Sequence, residues 1–281
     1  MLFSRIVVLV LLLVGVAAAR AQQSYTLEYK FDKGKTYRYA DTILSRTTQE
    51  MMGQEMKLSN NVYAVTRLVT EEVGKEGGAT LVMSSDTIVV ASKNPRMDTT
   101  IIPVEFLHKR NRLSLSAQGD VLRREVVDSL KVTGVMRMAG GFAQRELFRF
   151  ALLPEKPVVV GEKWTRKRID TTEAMGNKGV NSSTYEYTLV GAEKYRGRDC
   201  LKITYTGKVT VTSKGSMMGM DVFTEGNGTF SGTFYFDEKA GMGVGEEGKT
   251  DLELTAALTG QQNMTIPISQ SATSKHVLLT E

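Results

Sequence analysis

Apolar and polar residues alternate with a period of two along most of this chain. Near the start, Tyr25, Leu27, Tyr29 and Phe31 alternate with polar side chains, which is the pattern of a strand with one buried face. Further runs rich in Thr, Val, Tyr and Ile predict strands at about 36–50, 55–71, 79–91, 112–118, 183–192, 200–213, 220–225, 228–237, 249–259 and 264–279. The pattern therefore predicts a mainly β protein with long antiparallel strands in a large curved sheet.

One region departs from this period. Residues 123–130 and 142–153 carry apolar side chains at helical spacing, and Pro154 ends the second stretch. Gly140-Gly141 separates the two pieces. The sequence therefore predicts a short helical connector over about 123–153, near the centre of the chain.

The segments on either side of this connector resemble each other. Gly34-Lys35-Thr36-Tyr37 matches Gly161-Glu162-Lys163-Trp164, and shorter matches follow in the same order. Collinear matches are typical of an internal duplication. The predicted units are two β-meanders and a C-terminal hairpin, at about 31–122, 158–247 and 249–279. Joined edge to edge or packed together, they would resemble the half-barrel of LolA-like periplasmic lipoprotein carriers in architecture.

The first residues predict export. Residues 6–19 are continuously apolar, too few to span a membrane, and Ala19-Arg20-Ala21 follows as a cleavage signal. Residues 1–21 are therefore predicted to be a secretory signal peptide, and residues 22–281 a single exported domain without a transmembrane span. Because Gln22 stands where a lipoprotein carries Cys, we expect a periplasmic or extracellular protein that is not lipid-anchored.

Charge and cysteine content exclude some classes of protein. The net charge of +5 over 281 residues is too small to indicate nucleic-acid binding. The densest basic runs, residues 108–112 and Arg166-Lys167-Arg168, are interpreted as solvated strand faces. Cys200 is the only cysteine, so no intrachain disulfide can form. Its position in the alternation predicts a small residue on the polar face of a strand.

The sequence offers no catalytic or metal-binding motif. His108 and His276 are the only histidines and lie far apart, so neither a metal nor a cofactor is expected. Residues 243–248 fit G-x-G-x-x-G, but the flanking segments resemble strands and Glu246 and Glu247 would repel a phosphate. This stretch is interpreted as a hairpin turn, as is Asn227-Gly228. We expect no enzymatic activity and predict no catalytic residues.

Methionine is the unusual component, with fourteen in the chain. Several cluster at predicted hairpin tips, where flexible thioethers can line an adaptable apolar site. Together with the single tryptophan they give the candidate ligand-lining residues, Met52, Met56, Trp164, Met217 and Met218. The alternative is structural: the methionines would then fill or cap the core, and Trp164 would anchor it.

Two segments resemble a family of exported bacterial proteins of unknown function. Residues 154–164 carry the motif P-x-K-P-V-x-V-G-x-x-W, and residues 195–203 resemble the strand that follows it in this family. The run Met-Met-Gly-Gln-Glu-Met at residues 51–56 is similar as well. The resemblance covers nearly all of residues 22–281. It implies a bacterial envelope protein and supplies no active-site residues.

These observations favour one function and leave two alternatives. The leading hypothesis is an exported, non-catalytic protein that binds an apolar partner, a lipid or a peptide, on a curved β-sheet. The first alternative is a structural or assembly protein that pairs with other envelope proteins through its sheet edges. The second is a hydrolase whose carboxylates are brought together only by folding.

Overall fold

The protein folds into one large antiparallel sheet of twelve strands, beside a separate two-stranded sheet. The computed structural model describes residues 23–51, 53–129, 150–174, 177–217, 220–260 and 263–280. The strands are β1 (Ser24–Tyr25), β2 (Thr36–Met51), β3 (Gln54–Val73), β4 (Ala79–Asn94), β5 (Met97–Ile101), β6 (Asn111–Leu115), β7 (Val121–Val126), β8 (Val158–Val159), β9 (Lys163–Ala174), β10 (Asn177–Tyr195), β11 (Arg198–Met217), β12 (Met220–Asp237), β13 (Met242–Thr259) and β14 (Met264–Thr280). A 3-10 turn at Val104–Phe106 follows β5. The prediction of a mainly β fold with one large antiparallel sheet is confirmed.

Two meanders meet in the middle of this sheet. The strand order is β7-β6-β4-β3-β2-β14-β13-β12-β11-β10-β9, with β5 paired to β4 outside this path. The central junction is the ladder between β2 and β14, which runs from Gln49 opposite Ile268 to Arg38 opposite Thr280. Strands from the two halves of the chain are therefore joined edge to edge by main-chain hydrogen bonds.

The two glycines matched in the sequence have the same local geometry. Gly34 and Gly161 have φ angles of +83° and +87°, a region that glycine adopts without a Cβ clash. Each N–H donates to a carbonyl of a neighbouring strand, that of Thr70 for Gly34 and that of Leu189 for Gly161. A duplication requires such a correspondence, while the repeat boundaries stay a prediction.

The main hydrophobic core lies at one end of the sheet. The segment of residues 25–31 crosses this end, and its alternate residues Tyr25, Leu27, Tyr29 and Phe31 are buried. Only Tyr25 belongs to a ladder, through β1 and β8. The alternation thus identified the buried side chains correctly, but the predicted strand over residues 25–31 is wrong beyond Tyr25, because most of this segment packs across the sheet instead of joining it.

Main-chain hydrogen bonds connect this crossing segment to both meanders. The Tyr29 N–H donates to Ala117 O at 2.7 Å, and the Lys30 N–H donates to Gly241 O at 2.9 Å. The Tyr29 hydroxyl donates to Ala151 O at 3.1 Å. The segment therefore closes this end of the sheet and leaves the interior towards the other end uncovered by it.

The two edge strands of the sheet, β7 and β9, come within side-chain reach of each other, and we call the gap between them the seam. Arg124 of β7 pairs with Asp170 of β9 at 3.3 Å. Arg166 of β9 binds both carboxylate oxygens of Asp120, just before β7, at 2.5 and 2.7 Å. The sheet is therefore curled so far that ion pairs bridge its edges, while no backbone ladder joins them in the part of the chain described.

Three predicted elements are wrong. Residues 123–126 belong to β7 and residues 150–153 belong to no helix, so the helical connector is contradicted at both ends. Residues 130–149, like the signal peptide predicted at 1–21, lie outside the described residues. Asn227-Gly228 lies inside β12, and residues 243–248 lie inside β13. Glycine suggested turns there, but Gly243 and Gly245 instead leave room for the rings of Phe234 and Tyr195, which lie over them.

Cys200 and the basic run of residues 166–168 were both predicted to lie on polar strand faces, and both predictions are wrong. Cys200 is 3% exposed and belongs to the main core, and burial raises the pKa of its thiol. In the basic run of β9, Arg166 and Arg168 point to the interior and donate to Leu153 O and Phe150 O. Long guanidinium side chains can satisfy carbonyls of an irregular segment inside the sheet, which an alternation pattern does not reveal.

No helix among the described residues is long and apolar enough to cross a membrane.

We predict that the crossing segment contributes strongly to stability through Tyr29. Tyr29→Ala removes a buried aromatic ring that contacts Phe150 and Phe236 edge to face, so the free energy of unfolding should fall by about 3–5 kcal/mol. Tyr29→Phe removes only the hydrogen bond and should cost about 1 kcal/mol. Urea denaturation measures both, with exposed Glu28→Ala as a neutral control from the same segment. Equal stabilities of Tyr29→Ala and the control would contradict this role.

A second prediction concerns the seam. Partial burial raises the pKa of Asp120, but hydrogen bonds from Arg166 and Ser116 outweigh it and hold the pKa below the ordinary 3.8. Asp120→Asn should therefore lower the free energy of unfolding by about 1 kcal/mol at neutral pH, and this difference should begin to decrease near pH 3.8 and disappear only below the lowered pKa of folded Asp120. Asp199→Asn, an exposed partner of Lys194, is the control. A pH-independent difference for Asp120→Asn would refute the assignment.

Candidate functional site: a cavity inside the curled sheet

A cavity of about 350 Å³ lies on the inner face of the sheet, next to the main core. Eight strands contribute to its lining, which are β2, β3 and β9 to β14, together with residues 150–151, and the contribution of β12 is Phe230. Because successive residues of a strand point to opposite faces, the lining residues of β2, β10, β11 and β13 occupy positions of one parity, whereas β14 contributes the consecutive residues 272–276. The cavity is therefore a product of the curl that brings distant strands around one space.

The part of the cavity nearest the core carries what we call the polar band, formed by Asp41, His276, Glu246 and Tyr205. Asp41 of β2 lies directly opposite His276 of β14, and His276 lies opposite Glu246 of β13. Directly opposite residues share one face of a sheet. The ladder at the junction of the two meanders therefore places two carboxylates on either side of one imidazole.

Asp41 is fully engaged at this position. It is 2% exposed, accepts a hydrogen bond from Thr66 Oγ1 at 3.0 Å through Oδ2, and pairs with His276 Nδ1 through Oδ1. The imidazole stacks on the Tyr39 ring, with centroids 4.5 Å apart and planes 11° from parallel. A buried carboxylate needs such partners because its desolvation is otherwise costly. Asp41 thus fixes the orientation of the imidazole that faces the cavity.

Tyr205 reaches Glu246 across an intervening strand. Its hydroxyl donates to Glu246 Oε1 at 2.6 Å, although Tyr205 is on β11 and Glu246 on β13. The side chain passes over Gly232 of β12, where a Cβ would lie 2.4 Å from the Tyr205 oxygen. Burial, followed by the charge of Glu246, raises the pKa of Tyr205 far above its ordinary value. The phenol therefore stays a hydrogen-bond donor.

Further towards the hairpin tips, the lining becomes aliphatic. We call Val209, Val211, Leu252 and Leu254 the apolar wall; they lie on β11 and β13 and all line the cavity. Beyond the apolar wall, a second cluster continues in the same direction on the inner face, formed by Ala256, Leu258 and Ile266 with Met220, Val222, Met264 and Ile268. An apolar surface thus extends from the polar band towards the β13–β14 tip.

The side of the cavity at the seam is basic. Arg168 lines the cavity together with Phe150 and Ala151, and its guanidinium donates to Phe150 O at 2.6 Å. The polar groups of the cavity thus include one guanidinium at the seam and two carboxylates across from it. Such a set can hydrogen-bond a polar group of a ligand while the apolar wall holds an apolar part.

Among the predicted ligand-lining residues whose side chains the structure describes, neither Trp164 nor Met56 lines this cavity. Trp164 is partly buried behind Tyr187, on which it stacks at 5.2 Å, and it donates to Leu152 O at 3.1 Å. Met56 is half-buried in β3 near the β2–β3 tip, and Met217 ends β11. Met52 and Met218 lie outside the described residues. Trp164 contacts the lining residue Tyr187 without lining the cavity itself, and the binding role of all five residues stays a prediction.

The alternation of residues did not reveal the polar band, although the sequence contains one signal for it. Tyr37, Tyr39 and Asp41 are alternate residues of β2, and all three are buried. A carboxylate therefore occupies a position at which the alternation predicts an apolar residue. A charge at such a position indicates a buried, partnered group. Glu246 was not recoverable in this way, because its segment resembles a turn. No cluster of three or more potential metal ligands occurs in the part of the chain the structure describes.

Comparison with known proteins identifies a family match for part of the chain. Residues 148–243 match a family described as a family of unknown function, DUF6263. This stretch contains the P-x-K-P-V-x-V-G-x-x-W motif and β8 to β12. No curated protein matches the chain.

Three solved structures show a distant likeness. Pseudomonas aeruginosa OpdQ is 7% identical, with a TM-score of 0.27, 88% of this chain and 100% of that chain covered. An outer membrane channel from Pseudomonas putida F1 is 8% identical, with a TM-score of 0.21 and coverages of 94% and 100%. The translocator domain of the autotransporter NalP from Neisseria meningitidis is 9% identical, with a TM-score of 0.23 and coverages of 88% and 89%. Likeness at these scores carries no argument about function.

We predict that buried tyrosines around the cavity resist ionisation. Burial raises the pKa of Tyr29, Tyr187 and Tyr205 above the ordinary 10.0. At pH 11 the native protein should therefore ionise at least three fewer of its ten tyrosines than the urea-unfolded chain, as absorbance at about 295 nm would measure.

The same shifts determine how stability depends on pH. Because these groups hold their protons more tightly when folded, the free energy of unfolding should fall as the pH rises above about 10. Tyr205→Phe should reduce this fall and leave the native absorbance change at pH 11 unaltered. A smaller native absorbance change in this variant would show that Tyr205 ionises in the folded protein and would contradict its burial against Glu246.

Proposed function

We propose that the protein binds a small amphiphile in the cavity inside the curled sheet. The observation that carries this proposal is the division of one cavity into the polar band and the apolar wall. A volume of about 350 Å³ lies at the lower end of the range for ligand pockets. It suits one acyl chain or a similar small apolar group with a polar head.

The positions of the polar band and the apolar wall indicate how a ligand would be oriented in the cavity. Glu246 and the imidazole of His276 provide hydrogen-bonding groups next to the core, and Arg168 provides a cation at the seam. The apolar wall and the cluster beyond it lie in the direction of the hairpin tips. We therefore infer that the polar head lies near the core and the apolar part points to the tips, where each buried CH₂ contributes about 0.8 kcal/mol.

Binding without catalysis fits the polar band better than hydrolysis does. Asp41 and Glu246 flank His276, about two strand spacings or roughly 9.6 Å apart, which is near the separation found in some glycosidases. However, both oxygens of Asp41 are engaged inside the core, by Thr66 and His276. A carboxylate in this position supports the imidazole and is poorly placed to exchange protons with a substrate.

The signal peptide predicted at residues 1–21 gives the location of this binding. We propose that the exported domain works in the cell envelope, where lipids and other amphiphiles are available. The family resemblance of residues 154–164 supports the same location.

The proposal is tested by filling the cavity. Val211→Trp places an indole inside the apolar wall, whereas Thr212→Trp places it on the exposed outer face of the same strand. Fluorescence of N-phenyl-1-naphthylamine, with palmitate as competitor, should show at least a tenfold higher Kd for Val211→Trp and an unchanged Kd for Thr212→Trp. Native mass spectrometry of the exported protein should show lipid adducts that the first variant loses.

Two results would overturn this function. One is the absence of both probe fluorescence and lipid adducts with the wild-type protein. The other is equal binding by the two tryptophan variants, because an amphiphile held elsewhere would not distinguish the inner face of β11 from its outer face. Urea denaturation of both variants shows whether each is folded under the conditions of the assay.

A further inference from the structure

One arginine of the cavity, Arg168, has no carboxylate partner among the described residues. It lies on the inner face of β9 and lines the cavity, where its guanidinium donates to a neutral acceptor, Phe150 O, at 2.6 Å. A guanidinium carries five N–H donors and a permanent positive charge. Donors and charge are therefore available to a ligand at this position.

The acidic side chains near Arg168 are paired with other arginines. Asp120 binds Arg166 at 2.5 and 2.7 Å through its two carboxylate oxygens. Asp170, two residues beyond Arg168 on the same face of β9, pairs with Arg124 at 3.3 Å. Since these carboxylates are engaged elsewhere, an anionic group of a ligand can pair with Arg168 without displacing a contact between protein side chains.

A buried hydroxyl lies beside this guanidinium. Ser183 of β10 is directly opposite Arg168 in the ladder, so the two side chains share the inner face with Cβ atoms about 5 Å apart. Ser183 is 4% exposed and lines the cavity, and its hydroxyl makes no hydrogen bond to another residue that the structure describes. A buried hydroxyl is unfavourable without a partner. Its position makes it a second donor for an acceptor that reaches Arg168.

The apolar wall begins directly next to this pair. Ser183 lies opposite Val209 of β11, so a group bound by Arg168 and Ser183 touches the wall. Glu246 is four strand spacings away in the path of the sheet, or about 19 Å along its curved surface, and accepts a hydrogen bond from Tyr205. An anionic head at Arg168 therefore contacts the apolar wall and stays apart from the carboxylate of Glu246.

We propose that the amphiphile is a carboxylic acid and that Arg168 and Ser183 bind its carboxylate. This inference rests on the proposed function, because it names the head group of the ligand in the same cavity. Arg168 donates through N–H groups that Phe150 O does not use, and the Ser183 hydroxyl donates to the same carboxylate. The chain then passes over Val209 along the apolar wall. Because charge-assisted hydrogen bonds are stronger than neutral ones, the site favours a carboxylate over a neutral or cationic head.

The test compares three amphiphiles of equal chain length, laurate, dodecanol and dodecylamine, as competitors of N-phenyl-1-naphthylamine. The wild-type protein should bind laurate at least tenfold more tightly than either of the others. A cavity without an anion site would bind dodecanol more tightly, because removing a carboxylate from water costs more than removing a hydroxyl. The sign of this preference therefore reports on the head-group site.

Arg168→Gln and Ser183→Ala test the two proposed contacts. The first should reduce the preference for laurate over dodecanol at least tenfold, and the second about fivefold, because each removes hydrogen bonds to a charged group. Lys167→Gln and Ser182→Ala are the matched controls, since these residues are exposed neighbours on the same two strands, and they should keep the wild-type preference. If Arg168→Gln does not fold, Ser183→Ala still provides the test.

Three results would contradict this inference. The first is equal or tighter binding of dodecanol than of laurate by the wild type. The second is tighter binding of dodecylamine, which would place the head group at Glu246. The third is an unchanged preference in Ser183→Ala. Each of them leaves amphiphile binding itself intact, whereas the absence of probe fluorescence with the wild type would contradict the proposed function as well.

Discussion

The cavity inside the sheet depends on the ladder between β2 and β14. This ladder joins strands from the two ends of the described chain, so its formation closes a very long loop and makes the sheet strongly non-local. The same ladder places Asp41 opposite His276 and thereby builds the centre of the polar band. Without it, each meander would be a separate open sheet, and the inner face that encloses the cavity would not exist.

The location of the core explains why a cavity remains. Residues 25–31 close only one end of the curled sheet, where they bury aromatic rings against both meanders. Next to this core the lining is polar, and the buried groups there are partnered within the protein, as Thr66 and His276 are with Asp41. Further along, the side chains are aliphatic and leave room between the walls. The cavity is thus polar next to the core and apolar further away, because residues 25–31 cover only one end of the sheet.

The odd number of strands in the path has a comparable structural consequence. Because the path has eleven strands, its edge strands β7 and β9 run parallel and cannot form an antiparallel ladder with each other. In this protein, ion pairs bridge them instead. The inner face of β9 carries Arg166 and Arg168, which also donate hydrogen bonds to Leu153 O and Phe150 O. The seam and the cavity share these side chains, so the basic run of β9 belongs to the interior of the sheet.

The sequence by itself determined the strand-rich fold, most strand positions and the burial of alternate residues such as Tyr37 and Tyr39, because a period of two is a local property of one strand. It did not determine that Glu246 lies in a strand, that Cys200 is buried, or that residues 123–126 pair with β6. Those outcomes depend on which strands become neighbours and on the space that glycines such as Gly232 leave for crossing side chains. Only the tertiary structure decided them, because pairing between distant segments leaves no local pattern.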